Sequence, residues 1–139
     1  MHDPDLTQRL AGTVAEYRRT GDIGQLLERL DAVARAHAAD ALLEALTPHR
    51  DLQEVVGPVC EVIIEREPSN ARALVALAQA YWLTGRGPEV VSEIADRARA
   101  ADPSSGAAWH LWALADPSPR GRTERWQEVV ARFPGDAMA

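Results

Sequence analysis

Few side chains in the sequence have the types and spacing that catalysis or metal binding requires. His37 and Asp40 fall on one face of a predicted helix, and Glu44 lies beside them. Two ligands do not make a metal site, and we expect Glu44 to be a solvated acid beside them. The four histidines are scattered and form no HExxH motif, and a CxxC motif is missing as well. The sequence therefore predicts no metal site.

A nucleophile and a phosphate cradle are equally poorly supported. The single cysteine, Cys60, lies on an apolar stripe with Val56 and Ile63, so we expect a buried and inert thiol. The segment 85–88, GRGP, precedes a helix start that in principle holds a phosphate. Pro88 lacks the N–H that such a cradle uses, which favours a simple turn between helices. We expect no catalytic residue and no cofactor, and the chain is predicted not to be an enzyme.

Composition and charge narrow the classes of partner. Of 139 residues, 46% are apolar and 26% charged, as in an ordinary globular domain. No apolar run approaches the roughly 20 residues that span a bilayer, and the N-terminus has no leader-like pattern. A lone cysteine fits a reducing compartment, so we expect a cytoplasmic protein with no membrane partner.

The net charge of −6 is unevenly distributed along the chain. Residues 1–70 carry 13 acids and 7 arginines, whereas residues 71–139 carry 8 of each. A nucleic-acid-binding protein usually has a clustered basic face, so we expect no nucleic-acid partner. The locally basic run 119–125, PRGRTER, is typical of a solvated helix start.

Glycines and prolines divide the chain into segments rich in Ala, Leu, Glu and Arg, which favour helices. Alternating β-branched residues are absent, so the predicted fold class is all-α with seven to eight helices. The predicted ranges are 5–19, 22–36, 38–47, 51–66, 70–84, 88–101, 105–115 and 120–132. The second and third ranges form one long helix or two helices. No helix-breaking residue separates them, which favours one helix, but Asp40 is a candidate N-cap for a separate third helix.

Apolar stripes and capping residues support these helices. Asn70 and Ser105 are expected N-caps, and Pro88 fits the first helical position. Pro58 lies inside a predicted helix, where a proline costs about 3 kcal/mol, so we expect a kink or a late start. The apolar stripes that we expect to be buried are Leu74, Leu77, Ala78 and Tyr81; Val90, Val91, Ile94 and Ala98; and Trp126, Val129, Val130 and Phe133.

A repeated phrase suggests how the helices are arranged. REPSNARAL and AADPSSGAAW surround Pro68 and Pro103, which lie 35 residues apart. This spacing and the residues between resemble the tetratricopeptide (TPR) repeat, a helical hairpin of about 34 residues. The matching positions are Leu74-x-x-Leu77-Ala78-x-x-Tyr81, then Val90-x-x-x-Ile94, then Pro103.

The resemblance implies a TPR-like α-solenoid, an array of antiparallel helical hairpins in which small residues such as Ala78 allow close helix crossings. The match between the sequence and the TPR pattern is good for one unit and weaker in the segments on both sides of it. We expect one domain over 1–139, with divergent helices in 1–49, the best repeats in 50–103 and a truncated repeat in 104–139.

The resemblance also implies a peptide-binding face. In TPR proteins, certain positions of the first helix of each unit point into a concave groove. Here the corresponding residues are Arg72, Val75, Gln79 and Trp82, with His110 from the next unit. Trp82 either contributes apolar area to a bound peptide or packs under helix 105–115. The basic clamp by which some TPR domains hold a terminal carboxylate is not matched, because Val75 and Ala76 occupy its place.

The remaining tryptophans are expected in the core. Trp109 and Trp112 are three residues apart, hence on one helical face, and Trp126 lies on the stripe of the last helix.

The most favoured function is a non-enzymatic adaptor that binds a protein or peptide. The alternatives are a self-associating structural subunit, which would be a homo-oligomer, and a helical accessory domain with a small-molecule pocket among the tryptophans.

Overall fold

The structure, a computed structural model, describes residues 4–135, and within this range it contains eight α-helices and no strand. The predicted all-α class and helix number are confirmed. None of the described helices is long and apolar enough to cross a bilayer. The helices are α1 (Pro4–Thr20), α2 (Ile23–Ala36), α3 (Ala39–Leu46), α4 (Gln53–Arg66), α5 (Ala71–Leu83), α6 (Pro88–Ala101), α7 (Gly106–Leu114) and α8 (Pro119–Arg132), with a 3₁₀ turn at Thr47–His49.

Several helix starts follow from the capping residues. The side chains of Asn70 and Ser105 accept hydrogen bonds from the backbone N–H groups of Ala73 and Ala108, as the sequence predicts. Pro88 follows Gly87, the N-cap residue of α6, whose φ of 101° suits a residue without a Cβ. These caps fix where α5, α6 and α7 begin.

The break between α2 and α3 settles the question that the sequence left open. The N-cap of α3 is Ala38, which has no side-chain acceptor, while Asp40 lies in the first turn and does not cap the helix. The carbonyl of His37 accepts a hydrogen bond of 2.9 Å from Arg66 Nη1, at the end of α4. A tertiary contact therefore satisfies the backbone at this break.

For Pro58 the sequence leaves two possibilities, a kink or a late helix start. α4 begins at Gln53 and continues through Pro58 to Arg66, so the late start is wrong and the kink stays a prediction. Val55, Val59 and Ile63 are fully or almost fully buried along this helix. Burying such side chains contributes roughly 1.5–3 kcal/mol each, enough to offset the cost of an internal proline.

Helix contacts group the chain into two compact units, Met1–Pro68 and Ser69–Ala139. In the first unit α2 packs against α1 and α4, and α3 contacts α1 and α4. Its core includes Leu6, Leu10, Leu26, Leu30, Leu42, Val55, Val59 and Ile63. The prediction of one domain spanning 1–139 stays a prediction.

The second unit is held together by leucines and many alanines. α6 packs against both α5 and α7, α7 also contacts α5, and α8 packs on α7. The side chains without exposed surface include Leu74, Leu77, Val91, Val129, Ala73, Ala78, Ala95, Ala98, Ala108 and Ala113. Two residues of the expected stripes, Val90 and Val130, are instead exposed. Their neighbours Val91 and Val129 are the valines that are buried.

An ion pair between Asp116 and Arg125 connects α6, α7 and α8. Arg125 Nε lies 3.1 Å from Asp116 Oδ2, and Arg125 Nη1 donates to Ser92 Oγ at 2.8 Å and to the Trp112 carbonyl at 2.7 Å. The Ser118 N–H and hydroxyl also donate to Asp116 Oδ1.

The Ser118 N–H and hydroxyl, together with the nearby arginines, lower the pKa of Asp116 below its ordinary value. The stabilisation from this carboxylate is therefore present above its unfolded-state pKa and is lost as the pH falls through the lowered folded-state pKa.

The position of Asp116 makes a prediction about Gly121, in the first turn of α8. A Cβ at Gly121 would overlap the Asp116 carboxylate, whereas Gly12, inside α1, has open space around it. In an exposed helix, Gly→Ala stabilises by up to about 1 kcal/mol. We expect Gly12→Ala to show this gain and Gly121→Ala to lose it, because the added Cβ displaces Asp116 from Arg125.

Urea unfolding followed by circular dichroism compares the two variants. Equal stabilisation by Gly12→Ala and Gly121→Ala would contradict the role assigned to Asp116.

Candidate functional site

A groove of about 360 Å³ lies along α5 in the second unit. One side is formed by the first two turns of α5, and the other by the segment between α6 and α7 together with the start of α7. The lining residues are Ala71, Arg72, Val75, Ala76, Gln79, Asp102, Ser105 and Ala107.

Local structure fixes both sides of this groove. Leu74 and Leu77 are fully buried on one side of α5, which turns the side carrying Arg72, Val75 and Gln79 outward. Across the groove, Asp102 Oδ1 accepts hydrogen bonds from the Ser104 N–H and hydroxyl. The groove is therefore positioned by a buried helix face and a hydrogen-bonded turn.

The structure brings together three of the five residues predicted to bind a peptide. Arg72, Val75 and Gln79 all line the groove, while Trp82 and His110 are outside its lining. Trp82 lies one turn beyond Gln79 along α5. His110 packs against Trp126 of α8, with ring centroids 5.5 Å apart.

The exposed side chains of α5 form a continuous face. Arg72 and Gln79 are exposed and Val75 is half-buried. Trp82 is 44% exposed, so its ring is accessible to solvent. From Arg72 to Trp82 this face extends about 15 Å, the length of about four or five extended peptide residues.

The groove contains one arginine, Arg72. Arg72 forms no ion pair with any carboxylate in residues 4–135, whereas the Asp102 carboxylate accepts hydrogen bonds from Ser104. A guanidinium can bind a carboxylate through two parallel hydrogen bonds. The groove thus offers apolar contacts from Val75 and the alanines together with one site for an anion.

A cluster of aromatic and arginine side chains lies elsewhere in the same unit and was not predicted. The Trp112 ring has the Arg99 guanidinium carbon at 3.9 Å from its centroid and that of Arg125 at 4.7 Å. Trp109 stands edge-on to Trp112 at 5.7 Å and donates from Nε1 to the Pro103 carbonyl at 2.9 Å. The helical spacing of the tryptophans indicated a shared face, but no local pattern indicates which arginines stack on them.

The expected core positions of the tryptophans are confirmed only for one of them. Trp112 is 8% exposed and therefore buried, whereas Trp109 and Trp126 are half-buried.

The other groups with possible chemistry are the metal-ligand side chains and the thiol of Cys60. Within the described part of the chain, no three His, Cys, Asp or Glu side chains are grouped as a metal site requires. Cys60 is fully buried in α4, and burial raises the pKa of its thiol to about 12. The thiolate is the reactive form of cysteine, so this thiol is protonated at neutral pH, as its stripe position predicts.

The sequence matches no protein-family model, and no curated protein shows significant similarity to it. The arguments about function therefore rest on the groove and on the surface of the chain itself.

The burial of Cys60 predicts very slow labelling in the folded protein. At pH 8 we expect an aromatic disulfide reagent to react about a hundredfold or more slowly with the native chain than with the chain in urea. Because Cys60 is the single cysteine, the absorbance of the released thiolate reports on this residue alone. Rapid labelling without denaturant would show that α4 opens readily or that Cys60 is not buried.

Proposed function

We propose that the chain is a non-enzymatic, cytoplasmic adaptor that binds a protein or peptide in the groove along α5. Its fold, in this proposal, is an array of antiparallel helical hairpins like that of TPR proteins. The single observation that carries the function is the groove itself, an open channel in which Arg72 has no carboxylate partner within residues 4–135.

The pattern of helix contacts supports the hairpin array. The consecutive helices that pack together are α1 with α2, α3 with α4, α5 with α6, α6 with α7 and α7 with α8. In addition α1 contacts α3, α2 contacts α4, and α5 contacts α7. Contacts between alternate helices are what stacked hairpins produce, because equivalent helices of successive units lie side by side. Fully buried alanines on α5, α6 and α7 allow these helices to approach closely.

The chemistry of the groove supports a peptide ligand with an acidic residue. Arg72 would bind a carboxylate and Gln79 a backbone amide of the peptide, while Val75 and Trp82 would contact apolar side chains. Arginine and tryptophan are frequent hot-spot residues, because they combine a large contact area with directional polar groups. The open shape suits a segment of chain better than a compact metabolite.

The alternative of a small-molecule pocket among the tryptophans has less support. A space of about 550 Å³ beside Trp112 is lined by Glu89, Ser92, Glu93, Asp96, Arg99, Trp112, Pro117 and Arg125. Small-molecule sites are mostly apolar with few polar groups, whereas this lining is mostly charged. Moreover, Arg99 and Arg125 lie over the Trp112 ring.

Self-association is a second candidate, favoured by one observation. Val130, on α8, is exposed, and an exposed aliphatic side chain is apolar surface that another copy can cover. This candidate predicts a mass that rises with concentration in light scattering and that returns to the monomer in Val130→Glu.

A peptide selection tests the adaptor proposal. Peptides selected from a random display library against the native chain should include an acidic residue, and Arg72→Glu and Trp82→Ala should each weaken their binding about tenfold or more. The matched controls are Arg120→Glu, at a highly exposed arginine, and Leu83→Ala, next to Trp82 and more exposed.

Both control variants should bind the selected peptides as the native chain does. If no peptide is enriched, or if Arg72→Glu and Trp82→Ala bind as well as the controls, the groove is not the binding site.

A further inference from the structure

A second groove, in the first unit, is formed by α2 and α4. It has a volume of about 210 Å³ and is lined by Leu27, Asp31, Arg35, Pro58, Glu61, Val62 and Glu65. The ends of the two helices lie together, because Arg35 Nη2 is 3.2 Å from Glu65 Oε2 and Arg66 binds the His37 carbonyl.

The groove has an apolar half. Leu27 is 43% exposed and Ile23, one turn before it on the same face of α2, is 46% exposed. Pro58 lines the groove from α4. Large aliphatic side chains with this exposure, adjacent to one another on a helix, are the kind of surface that a partner helix covers.

The other half of the groove is acidic. Asp31, Glu61 and Glu65 line it together with one arginine, Arg35, so the lining has a net charge of −2. Arg35 pairs with both Asp31 and Glu65, and these pairs are exposed, so they hold the side chains only weakly. The first half of the sequence is also acidic overall, with 13 acids and 7 arginines in residues 1–70.

We propose that the α2–α4 groove docks a basic amphipathic helix of a protein partner. Its apolar side chains would cover Ile23 and Leu27, and its lysines or arginines, one or two turns along, would face the three carboxylates. The complementary charge argues for this occupant, because an acidic or neutral helix would not compensate the net negative charge of the lining. This docking surface is separate in its residues from the α5 groove and does not depend on it.

The test uses a synthetic, fluorescein-labelled Leu/Lys amphipathic helix of about 18 residues, which is about five turns. A peptide of the same pattern with glutamate in place of lysine is the charge control. Fluorescence anisotropy should show that the native chain binds the lysine peptide and not the glutamate peptide, and that added salt weakens the binding. In NMR spectra, the shifted amides should be those of α2 and α4.

Two matched pairs of variants separate docking from general charge attraction. Leu27→Ser should weaken binding about tenfold, while Leu114→Ser, at a leucine 40% exposed on α7, should not. Asp31→Asn with Glu65→Gln should weaken binding similarly. Glu89→Gln with Glu93→Gln changes the net charge by the same amount at exposed acids of α6 and should leave binding intact.

Three results would overturn the proposal. The first is that the native chain does not bind the lysine peptide, or binds both peptides equally. The second is that the charge variants on α6 weaken binding as much as those in the groove. The third is a dimer of the native chain in light scattering that Leu27→Ser converts to a monomer, because the groove would then be occupied by a second copy.

Discussion

The second unit depends on side chains that are small enough for helices to cross closely. Ala73 and Ala78 of α5, Ala95 and Ala98 of α6, and Ala108 of α7 have no exposed surface. A longer side chain at any of these positions has no free volume to enter, because protein interiors are close-packed. The alanines therefore set the distance between the helices, and the leucines between them supply most of the buried apolar area.

Close packing on one face of a helix determines what the opposite face presents. Burial of Leu74 and Leu77 places Arg72, Val75 and Gln79 on the outer side of α5. In the first unit, burial of Leu26 and Leu30 leaves Leu27 and Asp31 on the outer side of α2. The two grooves differ in charge: one contains an arginine without an ionic partner among residues 4–135, and the other has three acids and one arginine. Both proposals of binding follow from this difference.

The sequence predicted the features that depend on local chemistry. The caps Asn70 and Ser105 and the start at Pro88 follow from single residues, whereas the groove positions on α5 are those that the resemblance to TPR repeats implies. Features decided by tertiary contacts could not be predicted. At the break between α2 and α3, the His37 carbonyl accepts a hydrogen bond from Arg66. The neighbouring valines Val90 and Val91 fit the same apolar stripe equally well, yet only Val91 is buried. The stacking of arginines on Trp112 and the contact of His110 with Trp126 depend on how helices far apart in the sequence meet.

The most direct measurement compares the free energies of urea unfolding of Ala98→Leu and Ala100→Leu. Both positions lie near the end of α6, but Ala98 is fully buried and Ala100 is exposed. If alanines set the helix spacing, Ala98→Leu destabilises by about 1–3 kcal/mol, while Ala100→Leu changes stability by at most about 0.5 kcal/mol. Equal unfolding free energies for the two variants would contradict the account, because the crossing would then have room for a larger side chain.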